Sequence, residues 1–535
     1  MDVAAQSLRD ASLSILAPIR LQSVPGGNYA GAMSDPDPGR LLETILPQNP
    51  WLEVHTTRLP EVLAPPTERA LVAKLTEGLL EGSATPYPVL MGARRVGKTS
   101  MMYQVVSRLL ASGVSPRRIC WMRLDHPMLM NQPLGDLVRG TGFVRKASAD
   151  EPHFLFLDEV SWAGDWDRWL KTFSEEEWPV RLIATSSSTA INKERPLESS
   201  VGHWQELDVP PWTFSEYLAR EGVGEPVIAQ DNLGATFEHE IEDLHPILGL
   251  DAYMRRYLVM GAFPGALPSG GVGDDLAGVL QSQDRLRRET IEQALYRDIP
   301  HAFGVHEPVQ LERLLHLLAA QATGVLSPTR LASELGLTQP TIDKYIAYFQ
   351  RSFLLFTLSN YSLLEDSTVD LADATLEMTQ GGTVVHRRGR MLYFTDGGLR
   401  NAVLQSGAAV LRDDRVLEGL RENAVASHLH ALARQEGGRL FHWRKGKARV
   451  SFVYDHPDSP LAFEVAQTTM HDTSSLKEFQ RVFPRFQNCC YLVTPNAVAA
   501  SPQDSPAGIG RIGLAPLLQI IGAQFEQAFS RRLQH

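Results

Sequence analysis

The run Tyr87-Pro88-Val89-Leu90-Met91, followed at once by Gly92-Ala93-Arg94-Arg95-Val96-Gly97-Lys98-Thr99, decides the fold. The apolar run has the length of one buried strand, and Gly92 ends it. The next residues fit G-x-x-x-x-G-K-[ST]. In such a loop the glycines let the backbone close around phosphate oxygens, with its N–H groups turned inward. The amphipathic stretch that follows predicts a helix from Lys98 to Ser112, whose positive end adds to the cradle. Gly92, Arg95, Val96, Gly97, Lys98, Thr99 and Ser100 are the candidate nucleotide-binding residues. Lys98 is placed to reach the β- and γ-phosphates, and the Thr99 hydroxyl to coordinate Mg²⁺.

Further along, Phe154-Leu155-Phe156-Leu157 reads as a central buried strand, and Asp158-Glu159 closes it. Acids at the carboxyl end of such a strand stand where open α/β sheets bind ligands. Asp158 is the second candidate Mg²⁺ residue, acting through water, and Glu159 the candidate general base for an attacking water. The strand Arg181–Thr185 runs into Ser186-Ser187-Ser188. A hydroxyl at that tip can hydrogen-bond the water or the γ-phosphate, so Ser186 is a catalytic candidate, with Ser187 as the alternative. No Asn/Thr-Lys-x-Asp guanine signature stands out, which favours ATP.

Between about 85 and 215, strands (Val89–Met91, Ile119–Leu124, Phe154–Leu157, Arg181–Thr185) alternate with helices (Lys98–Ser112, Asp165–Glu177, Thr213–Glu221). That alternation predicts a parallel sheet covered by helices. Thr67–Glu81 also has helical spacing, and residues 235–320 read as helical. Gln22–Arg40, rich in Gly, Pro, Ser and Asp, reads as a loop. After about 390 strands and helices alternate again.

The 535 residues call for several domains. The net charge of −11 argues against a uniformly basic nucleic-acid binder, so any phosphate contact must come from local patches. Three cysteines form neither a disulfide framework nor a metal-ligand spacing, which suits a reducing cytoplasm. The N-terminus lacks signal-peptide features, and no apolar run approaches the roughly 18 residues of a membrane span. Ile512–Phe525 reads as a core helix.

Leu331-Ala-Ser-Glu-Leu-Gly336-Leu-Thr-Gln-Pro-Thr-Ile342 has helix-turn-helix spacing, with Gly336 at the turn and Thr338 as cap. Ile342, Ile346 and Phe349 face inward. Gln339, Thr341, Asp343, Lys344 and Ala347 are expected outward, a weak phosphate-binding face.

Several segments together resemble one family: MGARRVGKTSMMYQ, FLFLDEVSWAGDWDRWLKTF, LIATSSS, VPPWTFSEYL, GAFPGAL, YRDIP, RMLYFTDGGLRNAVL and ENAVASHL…HWRKG. The resemblance is to prokaryotic AAA-type P-loop ATPases with a C-terminal winged helix and a restriction-endonuclease-like domain, close to the archaeal and STAND ATPases. It implies an α/β chain: an N-terminal extension (1–60), a P-loop ATPase domain on a parallel sheet (61–222), a helical lid (223–305), a winged helix (306–362), and a linker with an endonuclease-like α/β domain (363–535). It implies ATP and Mg²⁺ as cofactors, and a nucleic-acid or protein partner in genome defence or mobile-element biology. Further copies of the chain are also admitted as partners.

The departures from the family pattern are specific. A Gly-Arg usually precedes the P-x-S-F-x-E-Y segment, and that Arg suits γ-phosphate sensing. This chain has Gly202-His203, leaving Arg195 or Arg297 to substitute. In the endonuclease-like part, Glu422 fits the helix acid and Glu464 the strand acid. The metal-binding Asp is replaced by Ser451 and the Lys by Ala466. Asp455 shares a face with Ser451 but stands about 13 Å along the strand. A nuclease fold without nuclease chemistry is the expectation. Arg444, Lys445, Lys447 and Arg449, beside Trp443, form a basic stripe. His386, Arg387, Arg388 and Arg390 form a second, and either suits a DNA or RNA backbone. Two readings stand: an ATP-driven switch, or an interaction scaffold with structural ATP and a pseudo-nuclease docking domain.

Overall fold

A computed structural model of the protein describes residues 38–52, 59–81, 86–148, 150–188, 202–223, 227–240, 250–268, 276–361, 389–466, 472–495, 502–505 and 507–534. Arg195, His386, Arg387 and Arg388, and the expected loop before residue 38, lie outside them. The chain packs as two units. One is Met1–Met91, Lys98–Ser186 and Ala190–Leu207; the other is Gly92–Gly97, Ser187–Thr189 and Asp208–His535.

The first unit is built on a sheet of β1 (Tyr87–Met91), β2 (Ile119–Arg123), β3 (His153–Asp158), β4 (Val180–Ser186) and β5 (Trp204–Asp208), in the order β2-β3-β4-β1-β5. The pairs β2/β3, β3/β4 and β1/β4 are parallel. All six residues of β3 are buried, as an unbroken apolar run demands of a central strand. The edge strand β2 is closed by a side chain. Asn49 Nδ2 donates to Trp121 O (2.9 Å), and Trp121 N donates to Asn49 Oδ1 (2.7 Å). One amide thus stands in for a missing strand and blunts the edge.

The expected strands and helices are present within a residue or three. Two stretches differ. Pro38-Gly39-Arg40, read as loop, opens the helix Pro38–Ile45, since a proline in the first turn costs no hydrogen bond. Strand β5 is half-exposed over three of its first four residues and carries little apolar signal.

In the second unit, the helices Pro328–Leu335 and Gln339–Arg351 meet at Gly336, whose φ of 67° ends the first helix. Thr338 Oγ1 accepts from Thr341 N (3.4 Å). Two of the expected outward residues face otherwise. Ala347 is buried, and Asp343 accepts from Arg390 Nη2 at 2.7 Å. The helix is therefore held on both sides, and Arg390, itself 8% exposed, adds nothing to a solvated basic patch. The strands β6 (Leu355–Leu358) and β7 (Met391–Phe394) form an antiparallel pair.

A second five-stranded sheet comprises β8 (Arg439–Lys445), β9 (Ala448–Asp455), β10 (Leu461–Val465), β11 (Cys490–Thr494) and β12 (Ile509–Gly513), in the order β12-β11-β10-β9-β8. It is antiparallel across β8/β9/β10 and parallel across β10/β11/β12. The helices Asp414–Glu436 and Leu514–Gln534 pack on each other. The expected helix at Ile512 begins at Leu514 instead, because Ile512 and Gly513 complete β12. Among the described residues no helix is long and apolar enough to cross a membrane.

Two buried caps fix the second unit. Thr213 and Glu216 form a reciprocal capping box at the helix Phe214–Arg220. Burial lowers the pKa of His428 to about 4, so its neutral Nε2 accepts from Phe214 N at 3.0 Å. Asp396, 5% exposed, accepts from Gly398 N (2.7 Å), Leu399 N (3.3 Å) and Ala262 N (2.9 Å). Gly261 must lack a side chain there, since a Cβ would stand 1.9 Å from Asp396 Oδ1. Asp396→Ala should strand three amides and cost about 2–4 kcal/mol of unfolding free energy, read from a denaturant titration. A loss under about 0.5 kcal/mol would contradict the capping role.

Candidate functional site

At the carboxyl edge of the first sheet, one oxygen collects two hydroxyls. Thr99 Oγ1 donates to Asp158 Oδ1 at 2.9 Å, and Thr185 Oγ1 donates to the same oxygen at 2.7 Å. The β3/β4 register, with Leu157 beside Ala184, brings Thr185 alongside Asp158. Burial first, then the charge of Glu159, pushes the Asp158 carboxyl up to about 6. The two hydroxyls and the Lys98 ammonium act in the opposite sense. Lys98 opens the helix Lys98–Ala111 and is 5% exposed.

Glu159 takes a left-handed conformation (φ 56°, ψ 52°) before the short helix Val160–Trp162. For a residue other than glycine this costs roughly 1–2 kcal/mol, a strain characteristic of functional positions. It is held by its own N–H, which donates to Thr185 Oγ1 at 2.9 Å. Thr185 therefore bridges both acids. In the sequence alone the serines that follow it stand out instead. The usable signal was its rank as the first polar residue after Leu-Ile-Ala, in register with Asp158.

Ser186 is fully buried beside Met91, and its hydroxyl donates to Ser161 Oγ at 3.0 Å. The structure thus brings Thr185, and not Ser186, into contact with Asp158. Ser187, the alternative, is buried and groups with the second unit.

His203 stands at the other edge of the sheet. Its carbonyl accepts from Tyr87 N (3.0 Å), at the amino end of β1, whereas the phosphate loop leaves the carboxyl end. Four residues of strand separate the two, about 13 Å. Its imidazole meets Ser174 Oγ at 3.2 Å and Glu175 at 3.8 Å.

The loop residues Gly92–Gly97 group with the second unit. A Cβ on Gly92 would stand 2.3 Å from Val209 O, and Gly97 has φ +97°, so both positions demand glycine. Arg94 forks onto the buried Asp298, Nε to Oδ2 at 2.5 Å and Nη2 to Oδ1 at 2.7 Å. Arg95, at φ 70°, pairs with Glu289 at 3.0 Å. Glu289 and Asp298 lie on two π-helical turns, Arg287–Ile291 and Ala294–Asp298, a wide-turn geometry frequent at functional sites. Arg297 is half-buried on the second turn.

Thr99 and Asp158 offer hard oxygen ligands, and no cluster of three or more metal-ligating side chains occurs among the described residues. That donor set fits Mg²⁺, which takes one or two protein oxygens and keeps waters and phosphate oxygens for the rest.

Beside the second sheet, Glu422 on the helix Asp414–Glu436 accepts from Tyr393 Oη of β7 at 3.0 Å. Burial raises its pKa, while the Arg449 charge opposes this. Both line a cavity of about 230 Å³ with Ser451. Ser451 Oγ accepts from Val465 N (3.1 Å), Ala466 is buried in the core, and Glu464 is 2% exposed. Asp455 is bound to Arg439 (2.9 Å) and Arg485 (3.0 Å). Arg444, Lys445, Lys447 and Arg449 are exposed around the β8–β9 turn, and Arg444 lies directly opposite Arg449. Trp443 is fully buried against Phe479 and Phe483 and offers no face to a base.

Residues 85–218 match the family model described as an AAA domain, and residues 251–373 match a model described as a domain of unknown function (DUF8612). An uncharacterized protein of Methanocaldococcus jannaschii is 21% identical over 315 residues, 56% of this chain and 63% of its own length. The chain thus spans less than two thirds of that relative. Among solved structures, the Aeropyrum pernix ORC1 protein in complex with DNA is 12% identical, covering 64% of this chain and 96% of its own, with a TM-score of 0.30. The Thermotoga maritima RuvB Holliday junction branch migration motor is 16% identical, covering 56% and 92%, with a TM-score of 0.24. From the strand and phosphate loop at 87–99 to the acid pair at 158–159, residues 85–218 form an AAA-type P-loop ATPase domain.

Proposed function

We propose that the chain is an ATP-driven switch whose C-terminal part is a nuclease fold without nuclease chemistry. The observation that carries the ATPase reading is the Asp158 oxygen shared by Thr99 and Thr185. The loop amides and Lys98 hold the nucleotide phosphates. Thr99 and Asp158 hold Mg²⁺, which when bound neutralises phosphate charge. Glu159 takes the proton of the attacking water, and Thr185 keeps both acids in place from behind. Arg297 is the candidate cation for charge developing on the γ-phosphate. The Arg94–Asp298 fork ties the loop to the helical lid proposed for 223–305, and so gives nucleotide a route to the segments that follow. We assign 306–362 to a winged helix that serves as a structural lid, since Ala347 and Asp343 are already engaged.

The exposed arginines and lysines of the β8–β9 turn suit a nucleic-acid backbone, with affinity that is sequence-tolerant and falls steeply with salt. The scaffold reading is less favoured, because structural ATP alone would not explain a strained Glu159 beside a buried Asp158.

Glu159→Gln should keep ATP binding in calorimetry and slow turnover by about 10²–10⁴-fold, the range for a lost general base. Wild-type turnover would remove Glu159 from that role.

The Asp158 carboxyl has a folded-state pKa of about 6, above the usual 3.8. The folded state therefore binds its proton more tightly. Its contribution to metal-free stability is complete below the ordinary carboxylate range and is lost as pH rises through about 6. Mg²⁺ needs the ionised form, so the proton competes with it and apparent Mg²⁺ affinity should weaken as pH falls through about 6. At pH 7.5, Asp158→Asn without nucleotide should melt no lower than wild type yet show no turnover. A variant that hydrolyses ATP normally would refute the assignment.

Plasmid and linear DNA should stay intact with Mg²⁺ or Mn²⁺, with or without ATP. Cleavage that disappears in Glu464→Ala would mean the nuclease fold is alive.

A further inference from the structure

A second cavity, of about 200 Å³, lies among Ala322, Thr323, Arg400, Arg415, Val416 and Gly419. Its lining has two guanidiniums and one hydroxyl and, among the described residues, no carboxylate. Arg400 stands half-buried on the helix Gly397–Leu404. Its side-chain hydrogen bond among the described residues goes to Asn401 Oδ1, a neutral acceptor, at 3.1 Å. Burial pushes its pKa down, and among the described residues no acid acts in the other direction. A guanidinium does not shed its proton at physiological pH, so burial without a counter-ion is costly.

The acids nearest in sequence to Arg415 are already engaged. Asp413 caps its own helix through Arg415 N and Val416 N, and Asp414 faces Arg255 at 3.8 Å. Thr323 holds a left-handed φ of 62°, an outlier for a β-branched residue, and its N–H is fixed on Leu392 O at 2.8 Å. The strain keeps a β-branched hydroxyl at the rim of a positive cavity. The other cavity that Thr323 lines contains the Glu422 carboxylate; this one has no acid in its lining among the described residues.

We propose that this cavity is an anion site that takes a phosphate group, with the half-buried Arg400 as the anchor, the exposed Arg415 as the outer clamp and Thr323 as the hydroxyl donor. The volume, equal to about six waters, admits a phosphate and its ester carbon but not a whole nucleotide. The phosphate comes from a small phosphomonoester or from a nucleic-acid backbone, and both present the same oxygens. The site is separate from the phosphate loop and does not depend on the ATPase reading.

The test uses the full chain carrying Lys98→Ala, so that the phosphate loop does not contribute. Inorganic phosphate, ribose 5-phosphate and a single-stranded oligonucleotide are titrated calorimetrically with and without Arg400→Met. Phosphate affinity should fall about tenfold or more in Arg400→Met, the scale of a lost charged hydrogen-bond partner. A parallel fall for ribose 5-phosphate alone identifies a small ligand, and a fall for the oligonucleotide as well identifies a backbone phosphate. Phosphate binding unchanged by Arg400→Met, or no phosphate binding at all, overturns the proposal. In phosphate-free buffer Arg400→Met should melt at or above the parent temperature, because an unpaired buried charge is removed. A marked drop would make Arg400 a structural residue and equally overturn the site.

Discussion

A single carboxylate oxygen, Asp158 Oδ1, sits where a fully buried strand must end on a charge. An acid there is tolerable when hydroxyls solvate it, and the fold supplies two, from the first turn of the helix after β1 and from the end of β4. That requirement makes the strand order consequential. With β4 next to β3, Thr185 comes level with Asp158, and the N–H of Glu159 finds an acceptor in the same hydroxyl. The remaining cost appears as a carboxyl that holds its proton to about pH 6 and a glutamate in left-handed backbone. A bound cation would offset the first, and the second is backbone strain that the surrounding structure holds in place.

Most of this was legible in sequence because it is written in short-range patterns. Apolar runs ended by glycine or acid gave β1 and β3, and helical spacing gave Lys98–Ala111 and Gln339–Arg351 to within a residue or two. What escaped depends on partners far along the chain. Asn49 pairs with Trp121, a contact across 72 residues that no local pattern announces. Thr185 gained its place from strand register. Ala347 and Asp343 look outward on a helical wheel, yet the first is buried and Arg390 reaches the second. Trp443 reads as the aromatic companion of a basic stripe, but the alternation of β8 sends it into the core while the turn stays exposed.

The second unit shows how an acidic chain can still present positive surface. Asp208, Asp298, Asp343 and Asp455 are each bound to an arginine, and Asp455 to two. Each pairing uses up an arginine with the acid, so the surface potential is set by the charges left over, such as Arg444 and Arg449. The net charge of −11 is therefore a poor guide to local potential. At the β8–β9 turn, Arg444 faces Arg449 across the strands, a juxtaposition of like charges that is unfavourable without an anion nearby.

The fork between Arg94 and Asp298 joins positions 204 residues apart. Lysine at 94 would lose the two-pronged match, and asparagine at 298 would leave a guanidinium without its counter-charge. Neither position can drift alone without unsettling the turn of backbone that carries it. Across lineages the two should change together or stay fixed together, as one heritable trait spelled in two places. A variant of unexplained effect at Asp298 is thus best read as a lesion of the glycine-rich loop at 92–97.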